Sequence, residues 1–170
     1  VSASEAPVRV RPMEPRDHDA VLELNETNVA VLSPMDAERL AWIAGLASAA
    51  LVAEDDEGVL GFCLAVPAGT AYDSAFYAWF GGRFADFLYL DRVAVGDRAR
   101  RRGVGTLLYD AAEAAARPHG RMTCEVNVRP ANEASLGFHR ARGYAALEER
   151  PADASGDKRV VMLAKELPAA

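Results

Sequence analysis

Between Phe87 and Ala116 the chain runs from a stretch that is apolar except for Asp91 and Arg92 into a glycine-bearing turn and then into an amphipathic segment. Phe87–Val95 reads as a strong strand, closing on Val93-Ala94-Val95. The turn is Arg100-Arg101-Arg102-Gly103-Val104-Gly105-Thr106. A helix is expected from Gly103 to Ala116, with Val104, Leu107, Leu108, Ala111 and Ala115 on one face. Strand, short turn and helix in succession point to a mixed α/β domain. Glycine in such a turn lets backbone N–H groups come close to an anion, and the helix N-terminus adds about half a positive charge. The flanking arginines offer bidentate donors for phosphate.

That cationic spot is unusual for its surroundings. The chain has a formal net charge of −6 and two lysines, Lys158 and Lys165, against seventeen arginines, four of them within Arg98–Arg102. A concentrated spot in an acidic chain suggests a local anion site and argues against general nucleic-acid binding. The turn is not a nucleotide P-loop, since no lysine follows either glycine. Nor is it a dinucleotide fingerprint, because Leu108 stands where a third glycine belongs.

The wider composition sets the frame. A chain of 170 residues, 51% hydrophobic, suits a single domain over 1–170 with a sizeable core. The longest charge-free apolar stretch, Leu40–Ala53, has 14 residues, short of the ~20 a membrane-spanning helix needs. Val1–Pro7 has neither a basic start nor an apolar core, so no secretory signal is expected. Cys63 and Cys124 lie in apolar runs and read as buried thiols of a reducing, cytoplasmic compartment. No metal-ligand spacing is present.

Along the chain, Val8–Arg11 reads as an opening strand. A helix follows from Pro15 through Leu24, and a second is expected behind a Ser33-Pro34 cap, through Leu40, Trp42 and Ile43. Leu51–Ala53 and Val59–Val66 read as strands joined by hairpin chemistry at Asp55-Asp56-Glu57-Gly58. Ala68–Arg83 reads as an irregular aromatic segment. After the central strand and helix come a strand at Met122–Val128, a helix at Asn132–Ala141, and strands at Gly143–Leu147 and Val160–Leu163. The order is approximately βααβββαβαββ.

Two motifs in this frame resemble one family. Arg100, Gly103 and Gly105 behind a Val-Ala-Val strand look like the acyl-CoA loop of the GNAT N-acetyltransferase superfamily. Asn132-Glu133-Ala134-Ser135, running through Phe138-His139 to Gly143-Tyr144, resembles that family's second motif. The resemblance covers roughly Phe87–Ala146. It implies a GNAT-like mixed central sheet flanked by helices, with two splayed parallel strands, Phe87–Val95 and Met122–Val128, forming the acyl-CoA cleft. The backbone of Val93, Ala94 and Val95 would pair with the pantetheine arm, and Arg100–Thr106 would cradle the pyrophosphate. Asn132, Ser135, Phe138 and His139 would line the arm. The implied cofactor is acetyl-CoA, with CoA as product.

The chemistry sets its own demands. Keeping an amine of pKa ~10.4 deprotonated at pH 7 costs about 4–5 kcal/mol unless a base removes its proton. The carbonyl oxygen needs a donor as it becomes tetrahedral, and a backbone N–H near Val93 is suited to that. Where the family often carries a tyrosine acid for the departing thiolate, this chain has His139, which can donate a proton near neutrality. The family's two glutamate positions hold Tyr89 and Asn127 here. Strand parity puts Asp91 and Glu125 on the same faces, making Glu125 and then Asp91 the candidate bases, with a structural ion pair to Arg92 or Arg121 as the competing role and an ordered-water relay as the other route for the proton. Tyr72 and Asp73 are the preferred acceptor contacts, with Tyr89 and Asn127. Trp42 and Leu46 are placed toward the same cleft. The expected acceptor is a small-molecule or peptide amine, with no nucleic acid and no membrane, and the fold admits a homodimer. A non-catalytic acyl-CoA-binding module of the same fold is the alternative.

Overall fold

The computed structural model describes residues 6–169, so the expectation about a leader in Val1–Pro7 falls largely outside it. Seven strands run in the order β1-β2-β3-β4-β5-β7-β6: β1 Arg9–Pro12, β2 Ala49–Asp55, β3 Gly58–Pro67, β4 Leu88–Val95, β5 Arg121–Arg129, β6 Ala145–Pro151 and β7 Arg159–Glu166. The helices are α1 His18–Thr27, α2 Ala37–Leu46, α3 Ala75–Arg83, α4 Val104–Ala116 and α5 Glu133–Ala141. This is the expected mixed α/β sheet fold with one more helix, α3. Contacts gather the chain into two compact units, one up to Val66 together with Leu90–Ala115, the other Pro67–Tyr89 together with Ala116 onward. Among the described residues no helix is long and apolar enough to cross a membrane.

In the first unit β2 and β3 form an antiparallel hairpin through Asp56-Glu57, and β1 pairs antiparallel with β2. The α2 cap is Asp36, whose carboxylate accepts from the Arg39 N–H at 2.8 Å. It lies three residues beyond the expected Ser33, because the Ser33 carbonyl is taken by Arg92 and Asn25. The buried row of α4 is Val104, Leu108, Ala112 and Ala116, whereas Leu107 is 37% exposed. An alanine-rich helix presents so broad an apolar face that pattern alone does not choose between adjacent rows. Packing decides it: a Cβ on Gly61 would lie 2.9 Å from the Ala94 carbonyl and 3.3 Å from Leu108 Cδ1, so the glycine lets α4 settle on β3.

In the second unit β5 and β6 both pair antiparallel with β7. The first residues of β4 join β5 in parallel at Leu88–Met122 and Tyr89–Thr123. The aromatic stretch expected to be irregular contains α3, whose N-terminus is capped by Ser74 accepting from the Tyr77 N–H at 3.3 Å. Gly81 and Gly82 read as breakers but lie inside its last turn. Burial of Tyr77 and Phe80 against Phe87 and Tyr89, with ring centroids 5.6–6.2 Å apart, outweighs the poor local propensity.

Candidate active site

In the first unit, alternate residues of β4 differ in exposure. Leu90, Arg92 and Ala94 are buried, whereas Val93 is half-buried and Val95 is 40% exposed; the Asp91 side chain is itself largely buried. A single 3₁₀ turn at Asp97–Ala99 leads to the loop. Arg101 adopts φ 60° and Gly103 φ 69°, both left-handed, which glycine tolerates and arginine does not favour. The first four N–H groups of α4 have no acceptor within the helix. No acidic side chain stands in that first turn, unlike those of α1, α2 and α5. An anion is favoured there by the helix dipole and by those N–H groups together.

The four arginines of the spot divide their work. Arg102 donates to Asp55 at 2.8 Å and to the Ala6 carbonyl at 2.8 Å. Arg98 reaches Asp55 at 3.3 Å and Glu57 at 3.0 Å. The Asp55 carboxyl is held down at about 2, chiefly by Arg102. Arg100 meets only the exposed Asp97, at 3.3 Å, and Arg101 is exposed with no ion pair among the described residues. Half of the cationic spot is therefore spent inside the protein, and Arg100 and Arg101 face outward.

Asp91 is not an isolated carboxylate. Arg92 Nε donates to it at 2.7 Å, both side chains being under a tenth exposed. Arg92 Nη1 also donates to Asn25 Oδ1 at 2.9 Å and to the Ser33 carbonyl at 3.0 Å. The competing ion-pair role anticipated for Asp91 is thus present, with Arg92 as partner. Trp42, from α2, is 38% exposed and carries Arg39 over its ring.

In the second unit the Tyr89 hydroxyl lies 2.8 Å from both carboxylate oxygens of Glu125. Arg121, the other anticipated partner, pairs instead with Glu166 at 3.0 Å. Asn127, two residues on from Glu125, offers its backbone carbonyl to the Asn132 N–H at 3.0 Å. Tyr72 is buried against Tyr77 and Tyr89, while its neighbour Asp73 is exposed. The Tyr77 hydroxyl, which sequence reasoning did not single out, donates to the Pro67 carbonyl at 2.8 Å and accepts from the Thr70 N–H at 2.9 Å, pinning the loop that presents Tyr72.

The second motif spans α5, from its cap at Asn132 to Gly143-Tyr144 just beyond its end. Asn132 caps the helix, its side-chain oxygen accepting from the Ser135 N–H at 3.2 Å. His139 is buried, and its Nδ1 lies 2.7 Å from the Ser135 carbonyl and 3.3 Å from the Ser135 hydroxyl. The bond to a carbonyl assigns the proton to Nδ1 in the neutral ring. The ring stands edge-on to Phe138 and Tyr144 and lines a cavity of about 360 Å³ with Val128, Leu136, Val161 and Leu163.

Neither cysteine is a nucleophile candidate: both are buried and outside any disulfide, and burial pushes the Cys63 thiol up to about 12. Among the described residues no group of three or more His, Cys, Asp or Glu is placed to hold a metal ion.

Comparison with known proteins identifies the family and the fold. The model of the acetyltransferase (GNAT) family matches residues 19–144, and the chain belongs to that family. Ard1 of Thermoplasma volcanium superposes with a TM-score of 0.74 at 17% identity, covering 94% of this chain and 97% of that one. Salmonella typhimurium yncA, solved with its cofactor acetyl-CoA, gives a TM-score of 0.71 at 19% identity over 96% and 95% of the two chains. Arabidopsis thaliana Naa50, solved with the bisubstrate analogue CoA-Ac-MVNAL, gives 0.71 at 12% identity over 94% and 99%. At these identities the likeness concerns the fold. No curated protein matches the chain significantly in sequence.

Proposed function

We propose that residues 1–170 act as one acetyltransferase domain that transfers the acetyl group of acetyl-CoA to a primary amine by direct attack. The observation that carries the reading is the turn into α4, with left-handed Arg101 and Gly103 and a helix N-terminus free of acidic side chains, in a chain of the GNAT family. The N–H groups of Gly103–Thr106 would hold the pyrophosphate, with Arg100 and Arg101 as its outward cations. The backbone of Val93, Ala94 and Val95 would receive the pantetheine arm, and Asn132, Ser135 and Phe138 are the second unit's proposed cofactor contacts. Arg102 contributes by holding the loop. When bound, acetyl-CoA supplies the activated acyl group and a thiolate leaving group.

Glu125 is the proposed base. A carboxylate oriented by the Tyr89 hydroxyl is suited to take the acceptor's proton, directly or through that hydroxyl. Asp91 is the weaker base candidate because its charge already serves Arg92. His139 is the proposed proton source for the departing thiolate: as the imidazolium it would give the Nε2 proton and be left as the neutral ring whose Nδ1–H is held by the Ser135 carbonyl. Asp73, Tyr72 and Asn127 are the proposed acceptor contacts. A peptide N-terminal amine is the first acceptor class to test, since Naa50 was solved with a CoA–peptide analogue. Two buried cysteines outside any disulfide fit a cytoplasmic setting.

The test is CoA release from acetyl-CoA across a panel of peptide and small amines, followed by mass spectrometry of the acceptor. Acetylated product is expected. Binding of acetyl-CoA without turnover on any amine would leave the non-catalytic module in its place.

A further inference from the structure

We infer that Asp55 is a positioning residue for the cofactor loop: its buried carboxylate anchors Arg102 and so holds the left-handed turn at Arg101 and Gly103 ready for a pyrophosphate. The inference rests on the acetyl-CoA reading of that loop.

Asp55 ends β2 at the hairpin and is 5% exposed. One carboxylate oxygen accepts from the Glu57 N–H at 2.9 Å, which locks the turn it sits on. The other accepts from Arg102 Nη1 at 2.8 Å, with Arg98 Nη1 at 3.3 Å. The other end of the Arg102 guanidinium donates to the Ala6 carbonyl at 2.8 Å, and the side chain is only 10% exposed. Arg102 is thus held at both ends by the protein.

Its neighbours on either side are the left-handed residues. An arginine does not favour that conformation, and it persists only where the surroundings dictate it. The anchored Arg102 between Arg101 and Gly103 is such a constraint. Successive N–H groups around left-handed residues form a concave anion receptor. Asp55 would therefore act on the cofactor through the loop's shape, without touching it. The arginines left outside, Arg100 and Arg101, supply charge rather than shape.

A competing account makes Arg102 itself a phosphate ligand that Asp55 holds back. The two accounts predict opposite signs. CoA binding is measured by calorimetry for the wild type, Asp55→Asn and Arg102→Lys, with circular dichroism and thermal unfolding confirming folded protein. The positioning role predicts that Asp55→Asn weakens CoA roughly tenfold, since the loop must be ordered at the moment of binding. Arg102→Lys should weaken it similarly, because an ammonium cannot reach Asp55 and the Ala6 carbonyl together. The double variant should bind no worse than the weaker single one. Equal or tighter CoA binding by Asp55→Asn overturns the inference, as does undiminished binding by Arg102→Lys or full additivity in the double variant. If Asp55→Asn does not fold, Asp55→Glu, whose longer side chain displaces the carboxylate from Arg102, takes its place: weaker CoA binding is expected, and equal or tighter binding overturns the inference. A wild type that fails to bind CoA overturns the function reading, and this inference falls with it.

Discussion

Tyr89 and Glu125 hold one another: the phenol lies 2.8 Å from each oxygen of the carboxylate, and Tyr89 is almost wholly buried among Tyr72, Tyr77 and Phe80. A rigid aromatic thus aims a carboxylate that would otherwise sample several rotamers. If Glu125 is the base, Glu125→Gln should lower kcat about 10²–10⁴-fold with little change in the KM for acetyl-CoA. Tyr89→Phe keeps the carboxylate and the packing, so its loss should be smaller, about tenfold. Steady-state kinetics on the best acceptor checks both. Equal rates for wild type and Glu125→Gln would remove Glu125 from the mechanism.

Asp55 also makes a prediction for acid stability. Its folded value, about 2, lies below that of an ordinary aspartate, near 3.9. The depressed folded value means the contribution is complete above about pH 4 and is lost as pH falls toward about 2. Asp17 and Glu54, held down by Arg11, act in the same direction. Denaturant titrations at stepped pH should therefore show wild-type stability falling over this window. Asp55→Asn should fall less steeply there, being less stable at neutral pH from the outset.

The Arg92–Asp91 pair should prove structural. Arg92→Leu leaves the Asp91 carboxylate in a buried site without its arginine and takes a donor from Asn25 and the Ser33 carbonyl. The expected loss is about 3–5 kcal/mol of unfolding free energy, measured by urea titration. A loss below about 1 kcal/mol would show the pair to be dispensable.

Around α5 stability and activity should separate. Asn132→Ala removes the cap and should cost about 1 kcal/mol in thermal or urea unfolding. His139→Ala enlarges the adjoining cavity and, if the imidazole feeds the thiolate, also lowers kcat. The activity of the wild type should then fall with rising pH as the imidazolium is lost, and the variant should lack that limb. Matching pH–rate profiles would confine His139 to packing.

The order of elements other than α3, the strand–turn–helix that leads into α4 and the second motif were all legible along the chain. Each depends on residues within a few positions of one another, where apolar period, glycine and capping chemistry operate. α3 was not legible, because Gly81 and Gly82 argue locally against a helix that forms by burying Tyr77 and Phe80. The buried row of α4 was equally undecidable on an alanine-rich face until Gly61 admitted Leu108.

The roles of the charges needed the tertiary structure. Composition shows four arginines within Arg98–Arg102 but not that Asp55, more than forty positions away, takes two of them. Parity put Asp91 and Glu125 on candidate faces, yet only pairing across the chain distinguishes a carboxylate bound to Arg92 from one oriented by Tyr89. Local pattern reports which backbone a segment prefers. The use of a charge depends on which distant partner lies within 3 Å or so, and folding alone sets that.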